Sequence, residues 1–187
     1  MTAPFPNIRC VFLDRDGVLN RKPPEGAYIR NWEEFHLLPG VAAAVSALNR
    51  SGRTVIVVSN QRGIALGLYT RAGVDAIHAR LAERLAADGA RIDAFYICPH
   101  DKDECDCRKP KTGLFEQAFR DFPEMNPSNS LLIGDSISDI QAARTLGIPS
   151  VFIDGDPQTQ KAGAAEAAAL ADARAASFAE AVERFLP

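Results

Sequence analysis

The sequence predicts an α/β protein: a doubly wound, three-layer, Rossmann-like parallel sheet. Three observations predict the sheet. Short apolar, β-branched runs recur along the chain and end on polar residues. Continuous runs of this kind are strands buried on both faces. Helical patterns fall between them, and strand–helix alternation implies parallel strands joined by crossovers. Finally, no internal repeat and no long linker divides the 187 residues, so they read as a single domain.

The elements follow in order. IRCVFLDRD (8–16) is the first strand. PGVAAAVSALNRSG (39–52) is a helix, with Pro39 at its start and Gly52 at its stop. RTVIVVSNQ (53–61) is the second strand, and TRAGVDAIHARLAERLAADGA (70–90) repeats apolar residues at helical spacing. DAFYICPH (93–100) is a weaker strand, and TGLFEQAFRDF (112–122) is a helix beyond it. LLIGDS (131–136), DIQAARTLG (139–147) and SVFIDGD (150–156) complete the alternation. The Ala-rich segment 157–187 has little large apolar surface and reads as a surface arm or loop followed by a final helix, SFAEAVERFL. Segment 20–40, between the first strand and the first helix, is too short for a large cap domain.

Composition narrows the function classes. Apolar residues make up 47% and charged residues 24%, as in a globular protein. A net charge of −3 speaks against broad nucleic-acid binding. No apolar run approaches the ~20 residues that cross a bilayer. The N-terminus lacks the pattern of a secretory signal. The expectation is a cytoplasmic monomer acting on a small molecule, with no nucleic-acid or membrane partner.

Ligands of doubly wound sheets gather at the carboxyl ends of the strands. Asp14, Ser59, Cys98 and Asp135 all occupy that edge. Asp14 and Asp16 lie two apart just beyond a strand, so their side chains point the same way. Paired carboxylates repel, and a divalent cation or a shared proton relieves the repulsion. Asp135 adds a third carboxylate, and such oxygen ligands suit Mg2+. A solvated turn is the plainer reading of an isolated DxD, but here it follows a buried strand and faces a second acidic strand end.

Cys98, His100, Cys105 and Cys107 offer three sulfurs and one imidazole within ten residues. That set suits tetrahedral Zn2+. The redox reading lacks a CxxC pair, and a loop of unrelated thiols is the bland alternative. A zinc clip here would fix the direction of the cations behind it. Those cations are Arg108 and Lys109, directly after the last cysteine. Cys10, His36 and His78 read as packing or loop residues, not as ligands.

These motifs together resemble the haloacid dehalogenase superfamily of phosphotransferases. Asp14-Arg15-Asp16-Gly17-Val18 matches its first motif, Ser59 its second, Lys109 its third and Gly134-Asp135-Ser136-Ile137-Ser138-Asp139 its fourth. The resemblance implies that Asp14 attacks phosphorus and forms an aspartyl-phosphate. It implies that Asp16 acts as general acid and then base. Mg2+ would be held by Asp14, the Asp16 carbonyl and Asp135, with Asp139 supporting the site from behind. Ser59, the Asn60 backbone and Lys109 would hold the transferring phosphoryl oxygens.

The CxH…CxCRKP pattern, with DRDG and SNQ, is similar to the histidinol-phosphatase and heptose-bisphosphate phosphatase group. There the zinc is structural. Some heptose-bisphosphate members have lysine after GD, where this chain has Ser136. The stand-alone length and GDSISDIQAAR favour removal of the C7 phosphate of D-glycero-D-manno-heptose 1,7-bisphosphate, with Arg108 on the second phosphate. Histidinol phosphate is the alternative substrate, and a non-catalytic zinc-clipped binding protein is the alternative class. Asn20, Tyr28, Gln61 and Arg62 are the expected short-loop contacts to substrate.

Overall fold

The structure is a computed structural model that describes residue 5, residues 7–160 and residues 162–187. Half of the ten-residue N-terminal stretch behind the secretory-signal reading, residues 1–4 and 6, lies outside these residues. Among the described residues, six parallel strands form one sheet in the order β3-β2-β1-β4-β5-β6. They are β1 (Cys10–Leu13), β2 (Thr54–Asn60), β3 (Ala94–Cys98), β4 (Ser130–Gly134), β5 (Ser150–Ile153) and β6 (Ala173–Ala175). The helices are α1 (Val41–Arg50), α2 (Arg71–Ala86), α3 (Gly113–Asp121), α4 (Ile137–Leu146), α5 (Ala164–Leu170) and α6 (Phe178–Phe185).

Strand side chains alternate between two cores, as the two-residue period of a strand demands. Val11, Leu13, Val55, Val57, Leu131 and Ile133 pack with α1, α2 and α6. Cys10, Phe12, Ile56, Val58 and Leu132 face the other way, onto α3 and α4. Helices thus cover both faces, which is why the central strands are apolar throughout.

The Ala-rich tail corrects the sequence expectation of a surface arm. It contributes α5, then strand β6 beside β5, then α6. Alanines suffice because β6 is a three-residue edge strand and α5 packs closely on Phe152 and Ile140. The large apolar surface is concentrated in α6, where Phe178, Val182 and Phe185 enter the core beside α1. The segment between β1 and α1 has one short 3-10 turn, Trp32–Glu34, and anchors itself by burying Ile29 and Phe35. Among the described residues, no helix is long and apolar enough to cross a membrane.

The candidate active site

The register places the ends of β1, β2, β3 and β4 side by side at one edge. Asp14 follows β1, Ser59 and Asn60 close β2, Cys98 closes β3, and Asp135 follows β4. Residues from four distant stretches therefore meet because parallel strands all end at the same rim.

Carboxylate oxygens of Asp14, Asp135 and Asp139 lie within 4.8 Å of one another. Lys109 Nζ is buried among them. It donates to Asp14 Oδ1 at 2.9 Å and to the Val58 carbonyl at 2.7 Å. It also lies 2.6 Å from Asp139 Oδ1, close enough to pair as charges although out of line for a hydrogen bond. Asp139 Oδ2 accepts the Ser136 N–H at 3.1 Å and the Ser136 hydroxyl at 2.6 Å. Asp139 Oδ2 is thus hydrogen-bonded, while Oδ1 has the Lys109 charge beside it but no hydrogen bond. Asp135 differs: Oδ2 accepts from Lys22 Nζ at 2.5 Å, while Oδ1 is buried with no protein partner.

Two glycines allow this crowding. A Cβ on Gly17 would lie 2.0 Å from Asp135 Oδ2, and one on Gly134 would lie 2.4 Å from the Asp139 Cβ. Any side chain at either position would displace a carboxylate.

Electrostatics follow from the packing. Four carboxylates, Asp14, Asp16, Asp135 and Asp139, face three cations, Arg15, Lys22 and Lys109. Burial pushes the Asp14 carboxyl above its usual range against the opposing charge of Lys109, and Asp139 and Asp16 add to the push. Burial likewise carries Asp135 to about 7 although Lys22 pulls the other way. Burial works against the charge on Lys109, but Asp139 and Asp14 outweigh it and hold the ammonium above its usual pKa. A cluster with excess buried negative charge and an orphaned carboxylate oxygen fits a hard divalent cation such as Mg2+.

Asp16 is set apart from that cluster. Arg15 grips both its oxygens, with three bonds of 3.0–3.2 Å. Asn20 Nδ2 donates to Asp16 Oδ1 at 2.9 Å and Gln61 Nε2 to Oδ2 at 3.3 Å. Burial raises the Asp16 carboxyl, but Arg15, Asn20 and Gln61 outweigh it and hold the group below its usual range. Asn20 therefore departs from the expected substrate contact: it is fully buried and also donates to the Arg21 carbonyl. Gln61 is likewise enclosed, donating to Ser59 Oγ at 2.8 Å and accepting from Tyr69 at 2.9 Å. Arg62 is taken up by an ion pair with Asp101 in the cysteine loop, and Tyr28 packs edge-on against Tyr69. Arg108 keeps one buried guanidinium nitrogen, Nη1, without a partner.

The cysteine loop brings Cys98, His100, Cys105 and Cys107 together, again with ligand atoms within 4.8 Å. Cys98 and Cys105 sulfurs are 3.5 Å apart, Cys105 and Cys107 sulfurs 3.2 Å, and His100 Nδ1 is 3.3 Å from the Cys107 sulfur. All four cysteines are free thiols. A tetrahedron with Zn–S bonds of about 2.3 Å has edges of roughly 3.8 Å, a little longer than these separations, so the four atoms fit around one zinc ion after a slight expansion.

Sequence reasoning did not single out Lys22, Arg15 or Tyr69. A basic residue inside DxD and a lysine shortly beyond it were visible, but neither carries a local pattern that distinguishes burial from exposure.

A parallel sheet presenting carboxylates and a buried lysine at its carboxyl edge defines a hydrolase of the haloacid dehalogenase-like class. A family model described as HAD-hyrolase-like matches residues 106–181. The D-glycero-alpha-D-manno-heptose-1,7-bisphosphate 7-phosphatase of Mycobacterium bovis is 40% identical over 165 residues, covering 88% of this chain and 84% of that protein. The D-glycero-beta-D-manno-heptose-1,7-bisphosphate 7-phosphatase of Rhodopseudomonas palustris is 36% identical over 164 residues, covering 83% and 89%. The crystal structure of D,D-heptose 1,7-bisphosphate phosphatase from B. bronchiseptica, complexed with magnesium and phosphate, superposes with a TM-score of 0.84 at 29% identity. It covers 96% of this chain and 98% of that one. The chain belongs to the heptose-bisphosphate phosphatase family of haloacid dehalogenase-like hydrolases and is a phosphatase.

Proposed function

We propose that the chain hydrolyses the C7 phosphate ester of D-glycero-D-manno-heptose 1,7-bisphosphate, leaving the C1 phosphate in place. The observation that carries this reading is the meeting of Asp14 and Asp135 beside Lys109, with Asp135 Oδ1 unpartnered. The names of the relatives support the choice of substrate.

Asp14, the Asp16 main-chain carbonyl and Asp135 are the residues to hold Mg2+. When bound, the ion supplies positive charge that offsets repulsion between nucleophile and phosphate. A carboxylate oxygen of Asp14 attacks phosphorus, and the bond from phosphorus to the sugar oxygen breaks. Asp16 gives its proton to the departing alkoxide. Water then attacks the phosphorus of the aspartyl-phosphate while Asp16 takes its proton, and the bond from phosphorus to the Asp14 oxygen breaks, freeing the Asp14 carboxylate and inorganic phosphate. Lys109, Ser59 and the Asn60 N–H bind the phosphoryl oxygens as charge shifts onto them. Arg15 keeps Asp16 ionised at rest, so the acid form arises as the anionic phosphate approaches and makes that charge unfavourable. Arg108 binds the second phosphate, its planar guanidinium acting as a bidentate donor.

Zn2+ belongs to Cys98, His100, Cys105 and Cys107. Four protein ligands leave no open position for water, so its part is to stiffen the loop that carries Arg108 and Lys109. Four free thiols suit a reducing compartment, and the proposal includes the cytoplasm.

The test is phosphate release from the α and β anomers of heptose 1,7-bisphosphate, with histidinol phosphate as the comparison. The expected product is heptose 1-phosphate, identified by mass and by which phosphorus signal disappears. No release from either anomer, or a higher kcat/KM on histidinol phosphate, would overturn the substrate.

A further inference from the structure

Lys22 lies outside all the motifs above. The segment after β1 carries it, and its side chain is only 4% exposed. A lysine stem normally lets its ammonium reach water, and burying the charge costs several kcal/mol unless it is paired. Here the pairing comes from a residue 113 positions away: Nζ lies 2.5 Å from Asp135 Oδ2.

The geometry around Asp135 gives this pair a purpose. One oxygen is held by Lys22, and the other, Oδ1, is buried without a protein partner. The same carboxylate belongs to the cluster with Asp14 and Asp139. Gly17 closes a further side, with space for no Cβ next to Oδ2. The carboxylate is therefore clamped at one end and left open at the other. Lys22 borders one cavity of about 410 Å³ with Arg21, Asp154 and Gln160, and another with Tyr28 and Arg30. Its ammonium is committed to Asp135, which argues against a role as a contact to solute in either cavity.

We infer that Lys22 is a positioning residue for the divalent-cation site: it holds Asp135 by Oδ2 so that Oδ1 is presented toward the ion. The inference rests on the Mg2+ reading above. Its fixed charge also offsets one of the four carboxylates gathered there. Groups that orient metal ligands in this way typically change metal affinity by about 10- to 100-fold when removed.

The experiment titrates zinc-loaded protein with Mn2+ in place of Mg2+ and follows free Mn2+ by electron paramagnetic resonance. Lys22→Met is expected to raise the Mn2+ Kd by about 10- to 100-fold. Lys22→Arg is expected to recover part of the loss, and Arg21→Met, at the exposed neighbour, to bind like wild type. Lys22→Gln, which keeps a donor without the charge, carries the same expectation as Lys22→Met if the latter does not fold. An unchanged Kd in whichever of the two uncharged variants folds would overturn the inference. So would an affinity loss fully matched by Arg21→Met. Absence of Mn2+ binding in wild type would instead overturn the metal reading beneath it.

Discussion

Asn60 holds the main chain of Lys109 on both sides. Its Nδ2 donates to the Lys109 carbonyl at 3.0 Å, and its Oδ1 accepts the Lys109 N–H at 3.0 Å. The end of β2 thereby fixes the residue whose ammonium reaches Asp14, so the third motif is aimed by the second. The Asn60 side chain is a separate device from its own N–H, which is the group assigned to the phosphoryl oxygens.

Removing that clasp should be felt at the ammonium. Asn60→Ala loses two hydrogen bonds worth about 1 kcal/mol each. A displacement of Lys109 by about 1 Å can cost roughly 100-fold in rate. The expected outcome is a lower melting temperature together with a kcat reduced by about 10- to 100-fold. Full activity in steady-state phosphate release would show that the loop aims Lys109 without help.

Asp14→Asn keeps the shape of the nucleophile and removes its charge. Turnover should fall by roughly 10³-fold or more, as when an essential catalytic group is lost. Zinc content and far-UV circular dichroism should match wild type, since Asp14 is not among the Cys98, His100, Cys105 and Cys107 set. Hydrolysis at the wild-type rate would remove Asp14 from the mechanism.

The buried His78 predicts an acid limit to stability. Burial, reinforced by the positive charge of Arg15, lowers its pKa from 6.5 to about 3, and its ring stacks on Phe95 at 4.3 Å. The unfolded chain therefore binds a proton that the folded chain refuses between those values. Stability contributed by neutral His78 is present above pH 6.5 and is lost as pH falls toward 3. The full shift corresponds to about 5 kcal/mol as an upper bound. Urea denaturation across this range should show a flatter acid limb for His78→Leu than for wild type. Parallel curves would mean that other groups dominate acid unfolding.

The zinc assignment predicts about one zinc per chain by elemental analysis after preparation in metal-free buffer. Stripping it with a strong chelator, or replacing Cys105 by Ser, should lower the melting temperature and slow phosphate release. The fall in rate is expected because Arg108 and Lys109 follow directly on Cys107. Bound iron, or no bound metal, would refute the assignment.

Much of this molecule was determined locally. Apolar runs such as Thr54–Asn60 must be buried on both faces, and that requirement alone yields parallel strands between helices. Asp14 and Asp16 after one strand, Asp135 after another, and the Cys98–Cys107 loop declare their chemistry by residue type and spacing. Strand β6 escaped notice because a three-residue edge strand, Ala-Arg-Ala, has too little apolar surface to register as a pattern.

The tertiary structure alone decided which polar side chains face one another. Lys22 and Asp135 meet across 113 positions, and Lys109 and Asp14 across 95. Asn20 reads as a polar loop residue, yet it is enclosed and spends its amide on Asp16. The physical reason is one of range. Backbone preference and hydrophobic period act between near neighbours, whereas an ion pair depends on a distance in space that exists only once the strands have closed side by side.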